Sequence, residues 1–358
     1  MKKIDWYIIR KFFTTFLFSI FLILILVIIF DISEKIDDFL EHDLSFFVII
    51  SDYYLHFIPY FANLFSPLFI FISVIYFTSR MASNTEIIAI YNSGMGFNRL
   101  LLPFLFCSLL LASCSFFLGN FIIPNSNKHR IDFENKYVKI KKKFHKKNIH
   151  MQIKKNQYIY IESYNPEKNI GYKFTLENFK NNQLVSKIRS NYIKYDTLNK
   201  RWRISDYTSI VYLEKGEEIQ SGQSLDTTLN LYPKDFKKQR SLVETMVMNQ
   251  LNEYINKEEL KGSKQIVFHK IEKHKRSAFP FAIIIMTLIA VAIGSYKSKG
   301  GVGLHLGVGL VISFSYILFM QISTTFATHG NLNPLLAVWI PNILYGIVAL
   351  YLIRKINK

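Results

Sequence analysis

Five stretches of this chain contain no Asp, Glu, Lys or Arg: Phe12 to Phe30, Tyr53 to Ser79, Leu100 to Asn127, Ser277 to Tyr296 and Gly300 to Ile353. A helix crosses the hydrocarbon core of a bilayer with about 20 predominantly apolar residues. Each of the first four stretches is therefore long enough for one crossing. The fifth is long enough for two, broken at Thr328-His-Gly-Asn-Leu-Asn-Pro334. The expected fold class is an α-helical integral membrane protein with six transmembrane helices. Three precede Lys128, three follow Arg276, and a polar insert lies between.

The net charge of +18 is unevenly placed. Residues 124 to 276 hold 32 Lys and Arg against 17 Asp and Glu. A basic, water-facing insert fits an anionic partner or an anionic lipid surface. It fits equally a chain whose whole composition is biased toward Lys, Ile and Asn. Cys107 and Cys114 are seven residues apart in the third span, which puts them on one helix face as small apolar residues and implies no disulfide framework. The positive start and long apolar run resemble a signal peptide. However, Phe12 to Phe30 is long for one, and Asp31 to Asp43 lacks a small-residue cleavage site, so a retained first span is expected.

Lys and Arg concentrate in cytoplasmic loops near span ends. Lys2, Lys3, Arg10 and Lys11 precede the first span, Arg80 and Arg99 follow the second, Lys297 and Lys299 follow the fourth, and Arg354, Lys355 and Lys358 close the chain. The loop after the first span is acidic except for Lys35. Both termini are thus expected in the cytoplasm and the insert outside the membrane it sits on.

Within the insert the periodicity changes to two. His150 to Lys154, Tyr158 to Glu162, Arg201 to Ser205 and Ile210 to Leu213 alternate apolar and polar residues, with turn formers at Lys155-Asn156, Asn165-Pro166, Asn181-Asn182, Asn199-Lys200, Lys215-Gly216 and Ser221-Gly222. Short alternating runs with regular turns predict an antiparallel sandwich or open roll. Ser241 to Leu260 reads as a helix leading back to the fourth span.

No Gly-x-x-x-x-Gly-Lys-Ser/Thr phosphate loop is present, so nucleotide hydrolysis by that route is excluded. No Gly-x-Ser-x-Gly elbow and no zinc spacing occur; catalytic residues, metal sites and cofactors are not expected. The loop between spans two and three is more informative. Ser83 and Glu86 have capping-box spacing, and Gly94 suits the position just past a helix end. A short helix is expected over about 84–93. Ile87, Ile88, Ala89, Ile90 and Tyr91 make it more apolar than a solvated loop requires. It reads either as an interfacial helix lying on lipid or as a docking helix for a cytoplasmic partner. At the opposite ends of the spans, Lys35, Lys128 and Arg130 form a candidate anion-contacting group; an ordinary solvated rim is the alternative.

Several motifs, taken in order, resemble one family. They are Asp5-Trp-Tyr-Ile-Ile-Arg-Lys-Phe12-Phe13, Glu86-Ile-Ile-Ala-Ile-Tyr-Asn-Ser-Gly94, Ile123-Pro-Asn-Ser-Asn127, His274-Lys-Arg-Ser-Ala-Phe-Pro280, Gly300-Gly-Val-Gly303, Gly330-Asn-Leu-Asn-Pro334 and Ala337-Val-Trp-Ile-Pro-Asn342. The chain resembles the lipopolysaccharide-export permeases of the LptF/LptG type over essentially its whole length, and its short insert and Phe30 to Asp38 segment look closer to LptG.

The resemblance implies a periplasmic β-jellyroll between spans three and four. Domains are expected at 1–127 (spans one to three), 128–240 (jellyroll), 241–276 (helical return) and 277–358 (spans four to six). It also implies a location in the inner membrane of a Gram-negative bacterium and a non-enzymatic transport role. The implied partners are a second permease of the LptF type, a cytoplasmic LptB-type ATPase dimer, LptC- and LptA-type bridge proteins, and lipopolysaccharide, with no nucleic acid. Glu86, Ile87, Ala89, Ile90 and Gly94 match the family's ATPase-coupling helix. Lys35, Lys128 and Arg130 are loose matches to its head-group contacts, because Asp31 and Glu34 stand where a basic residue is expected. The alternatives are a non-transporting membrane anchor or sensor, and a self-contained secondary transporter.

Overall fold

A computed structural model describes residues 3–138, 146–213, 216–236, 239–260, 265–297, 300–330 and 332–356. Lys2, Lys299 and Lys358, used above for orientation, lie outside these residues, as do Lys215 of one expected turn and Asn331 of the break before the last span. The chain forms two compact units. One comprises Met1–Val138, Glu244–Leu251 and Val267–Lys358, and the other Lys139–Val243 and Asn252–Ile266.

Six helices in the first unit are long and apolar enough to cross a membrane. They are α1 (Lys3–Glu41), α2 (Phe46–Ser83), α4 (Phe97–Val138), α7 (Ile266–Gly294), α8 (Gly301–His329) and α9 (Pro334–Ile356). A short helix, α3 (Glu86–Asn92), lies between α2 and α4. In hydrocarbon every backbone polar group must be satisfied within the protein, and a helix does this inside one segment. Pro59, Pro67, Pro103, Pro280 and Pro341 are accommodated inside these helices. One-turn π-helical segments at Ile49–Tyr54, Leu118–Ile122 and Glu134–Val138 rotate the side chains that follow them. The third span runs on past Asn127 through Lys128, Arg130 and Glu134, with no Gly or Pro after Pro124 to stop it.

The packing of the spans follows residue size. In α1 the buried face is Ile8, Ile9, Phe12, Phe16 and Ile20, at helical spacing, while Phe18, Phe21 and Phe30 point away and stay exposed. The most enclosed span is α7. Ala278, Ala282, Ala290 and Ala292 let neighbouring backbones approach closely, and Ile283, Met286 and Ile289 fill between them. Cys107 is buried and Cys114 exposed. Spacing by seven gives them one direction, but a neighbouring helix covers only the first.

The second unit carries a six-stranded antiparallel sheet in which each strand pairs with the next in chain order. The strands are β1 (Lys146–Lys154), β2 (Gln157–Asn165), β3 (Ile170–Lys180), β4 (Gln183–Asp196), β5 (Arg201–Leu213) and β6 (Gly216–Thr227). The alternating runs of the sequence fall inside these strands and the Asn-containing punctuation falls at the turns, but Ser221-Gly222, expected as a turn, lies inside β6 opposite Thr208 and Tyr207, with the Tyr207 ring packed over Gly222. Asn181 and Asn182 both have positive φ, 51° and 62°, the conformation of a two-residue type I′ hairpin. Inward side chains, among them Ile159, Ile161, Phe174, Ile193, Trp202 and Ile204, form one apolar core.

Leu231 and Phe236 cover this core. Trp202 Nε1 donates to the Leu231 carbonyl at 2.7 Å, and Tyr164 stacks on Phe236 at 4.0 Å. Burial pushes the Tyr164 phenol above its ordinary pKa range. On the outer surface Arg203 donates to both Asp226 oxygens, at 2.8 and 3.2 Å, and holds that carboxyl below the usual carboxylate range.

Two expected helices change shape. Ser83 is the last residue of α2 and caps nothing; α3 starts after Thr85, whose φ is 61° and whose side chain makes no cap bond. The tight left-handed link leaves no room for a Ser-x-x-Glu box. The helix expected over Ser241 to Leu260 is two, α5 (Gln239–Glu244) and α6 (Met248–Leu260), interrupted where β-branched Thr245 and Val247 lower helix propensity.

Trp202→Phe keeps the aromatic packing and removes the bond to Leu231, so it should cost about 1 kcal/mol. Hydrogen exchange on the full chain should then show the amides of 229–236 opening faster, while strands β2 to β4 keep wild-type protection.

Candidate functional site

Glu86 is the first residue of α3, where a carboxylate faces the helix's positive end favourably. Its Oε2 accepts from the Tyr7 hydroxyl of α1 at 2.9 Å. Ile87 and Ile90 are buried at 2% and 7% exposure, whereas Ile88 and Ala89 face outward. The helix ends at Asn92 with Ser93 as cap, and Gly94 follows at φ +82°, a conformation glycine adopts without strain. The Gly94 amide donates to the Tyr91 carbonyl at 2.9 Å. Tyr91 is half-buried, its hydroxyl has no hydrogen-bond partner among the described residues, and burial raises its pKa. The short helix is thus anchored by one apolar side and presents the other.

A second contact holds the same ends of the helices. Arg99, in the first turn of α4, donates to both oxygens of Asp5, in the first turn of α1, at 2.8 and 2.6 Å. Asp5 is buried at 3%. A bidentate arginine–carboxylate pair fixes geometry as well as distance. Sequence reasoning did not find it, because 94 residues separate the partners. The available signal was an acidic residue inside an otherwise basic leading segment. Tyr7 joins α1 to α3 and Asp5 joins α1 to α4, so three elements meet at the start of α1.

At the opposite end of α1, Lys35 is not free. Its Nζ donates to Asp31 at 2.6 Å and to Tyr53, and lies 3.5 Å from Glu134. All three charged side chains are nearly buried, at 10% to 13% exposure. Tyr54 donates to the other Asp31 oxygen at 3.0 Å. Arg130 stands over the Tyr60 ring at 5.0 Å and within 4.0 Å of Glu134 and 3.9 Å of Glu244. Lys128 alone of the three candidate cations is exposed. The structure therefore brings Lys35 and Arg130 together around Glu134 and leaves Lys128 at the surface.

A cavity of about 420 Å³ opens between α2, α4, α7 and α8. Tyr60, Asn127, Glu244, Glu272, Lys275 and Arg276 line one part, and Leu64, Pro67, Leu68, Met286 and Ile317 another. None of the sequence candidates lines it. No group of three or more His, Cys, Asp or Glu that could hold a metal occurs among the described residues.

Six helices long and apolar enough to span, with an antiparallel β-unit inserted between the third and fourth, define a multi-pass membrane protein. The model of the lipopolysaccharide export system permease LptF/LptG family matches residues 6–355, and the chain belongs to that family. The match does not separate LptF from LptG. No curated protein matches the chain.

Replacing Lys35 by Met takes the cation from nearly buried Asp31 and leaves Glu134 to Arg130, and breaking a buried pair by removing one partner costs about 3–5 kcal/mol. The melting temperature of the detergent-solubilised protein should fall markedly, and Lys35→Met with Asp31→Asn should recover part of the loss.

Proposed function

We propose that this chain is the LptG-type transmembrane subunit of an ATP-driven lipopolysaccharide exporter in the inner membrane of a Gram-negative bacterium. It works beside a second, LptF-type permease and takes lipopolysaccharide from the membrane toward LptC- and LptA-type bridge proteins. ATP hydrolysis resides on a separate LptB-type dimer. Both termini face the cytoplasm and the β-unit faces the periplasm, in keeping with the basic residues of the even-numbered connections.

The observation that carries this reading, beside the family match, is the form of α3. Ile87 and Ile90 fasten it to the permease, while Glu86, Ile88 and Ala89 remain for a partner. The ATPase docks there. Its closure moves α3, and Tyr7–Glu86 and Asp5–Arg99 carry the motion into α1 and α4. The exposed apolar side chains of α1 and α8, such as Phe18, Phe21, Val311 and Leu318, face lipid or the second permease. Lys128 is the cation available to a phosphorylated head group. Lys35 and Arg130 reach one only by giving up a carboxylate. Acyl chains then follow the apolar face of the sheet, since each CH₂ kept from water is worth about 0.8 kcal/mol.

Co-purification from membranes tests the complex. Wild type should bring down an ATPase and a second six-span permease; Glu86→Ala should lose most of the ATPase and keep the permease. A chain that purifies with no ATPase under gentle solubilisation would falsify the export reading.

The clasp has its own test. Arg99→Asp should reduce lipopolysaccharide-stimulated ATP hydrolysis about tenfold or more, as loss of a charge-assisted pair allows. Asp5→Arg combined with Arg99→Asp should restore much of it.

Ile188 lies on the inner face of the sheet and is half-buried, so it tolerates a charge better than the closed core. Ile188→Asp should leave the complex assembled and block lipopolysaccharide release to the bridge, measured by crosslinking to the bridge protein.

A further inference from the structure

We propose that the cavity between α2, α4, α7 and α8 binds a single acyl chain of an anionic lipid, with Lys275 holding the head group. The proposal needs only that these helices lie in a bilayer, so it stands or falls separately from the export reading.

Shape comes first. A volume of about 420 Å³ is that of a small-molecule site. The lining runs along α8 from Gln321 to Ser313, a rise of about 12 Å. Polar side chains gather toward Tyr60 and Gln321, and Leu64, Leu68, Met286 and Ile317 lie along the rest. A slot whose charged groups lie at one end and whose length is apolar apart from the paired Asn63 and Ser115 and from Ser313 matches an amphiphile, not a compact polar solute.

Unsatisfied groups come second. Ser313 and Asn127 line the cavity at 2% and 1% exposure. Ser313 Oγ and Asn127 Oδ1 have no hydrogen-bond partner among the described residues. The Asn127 amide nitrogen is already used, donating to the Glu244 carbonyl at 3.3 Å. Leaving a buried polar atom unpaired costs about 1–3 kcal/mol, and such atoms mark places where a ligand or water completes the site. Asn127 Oδ1 accepts only, so it asks for a hydroxyl donor in the head-group region. Ser313 Oγ lies deeper, where a plain acyl chain offers no partner, and it is met by a water held beside the chain.

Charge comes third. Arg276 donates to the Met246 carbonyl at 2.6 Å and lies 3.5 Å from Glu272. Glu244 faces Arg130 at 3.9 Å. Lys275 has no ion-pair partner among the described residues. The polar end of the cavity therefore has one cation to spare, and an anionic head group answers it where a cationic or neutral one does not.

Photo-crosslinking of the full chain, purified in its native complex, tests this. The probes are phosphatidylglycerol and a phosphorylated lipid A, each with a diazirine on one acyl chain, and phosphatidylcholine built the same way as a zwitterionic control. Peptides of α2 around 61–68 and of α7 around 279–286 should carry the label from the two anionic probes. Ser313→Phe fills the slot and should remove it for every probe. Lys275→Gln leaves the slot open and should lower anionic labelling about tenfold, the size of one charge-assisted contact, with phosphatidylcholine unchanged. Preference for the lipid A probe puts the slot on the route of a transported lipid, and equal labelling by both makes it a resident-lipid site; either supports the proposal. Labelling that persists in a Ser313→Phe protein of wild-type melting temperature overturns it. So does anionic labelling no stronger than that of phosphatidylcholine, or unaffected by Lys275→Gln.

Discussion

A charge inside or beside a membrane-spanning helix has to be answered within the protein, and that requirement organises the first unit of this chain. At one end of α1, Asp5 is closed by the two-pronged contact from Arg99. At the other end, Asp31, Lys35 and Glu134 meet around two tyrosine hydroxyls. Removing Arg99 or Lys35 takes that cation from a nearly buried carboxylate, Asp5 or Asp31, where the surroundings supply little water. The first knot ties span one to span three, and the second ties all three of the first spans to one another. The middle of each span is left to apolar packing.

The same economy of partners separates what is rigid from what is available. Where the cations are consumed, as at Lys35 and Arg130, they fix geometry. Lys128 and Lys275, which have no ion pair among the described residues, are the cations proposed above to meet a ligand. The short helix α3 divides in the same way, with two isoleucines inside and two apolar side chains outside. The docking role proposed for α3 needs both halves, since a helix that is not fastened transmits nothing and one with no outward face receives nothing.

Much of the fold was legible in the sequence. The charge-free stretches gave the six spans, because length and hydropathy are local properties that a bilayer reads directly. Period-two alternation and Asn-containing turns gave the strands, since a strand buried on one face must alternate. Less was legible where spacing says which way a side chain points but not what covers it. Cys107 and Cys114 share a direction and differ in burial. The Ser83–Glu86 spacing promised a cap, and a left-handed Thr85 replaced it. Lys35 looked like a free cation, yet Glu134, one of the groups that neutralise it, lies about a hundred positions along the chain.

The sequence by itself determined the class of protein, the number of spans, the place of the β-unit and the existence of a short apolar helix between spans two and three. Each of these depends on composition within a window of neighbouring residues. Only the tertiary structure decided which charges pair, which face of α3 is outward, that Leu231 and Phe236 close the sheet core, and that a slot whose Ser313 and Asn127 oxygens have no partner among the described residues lies chiefly among α2, α4, α7 and α8. Those depend on contacts between residues far apart in the chain. Because a side chain at helical spacing can be answered by any neighbouring helix, packing and not periodicity chooses the partner.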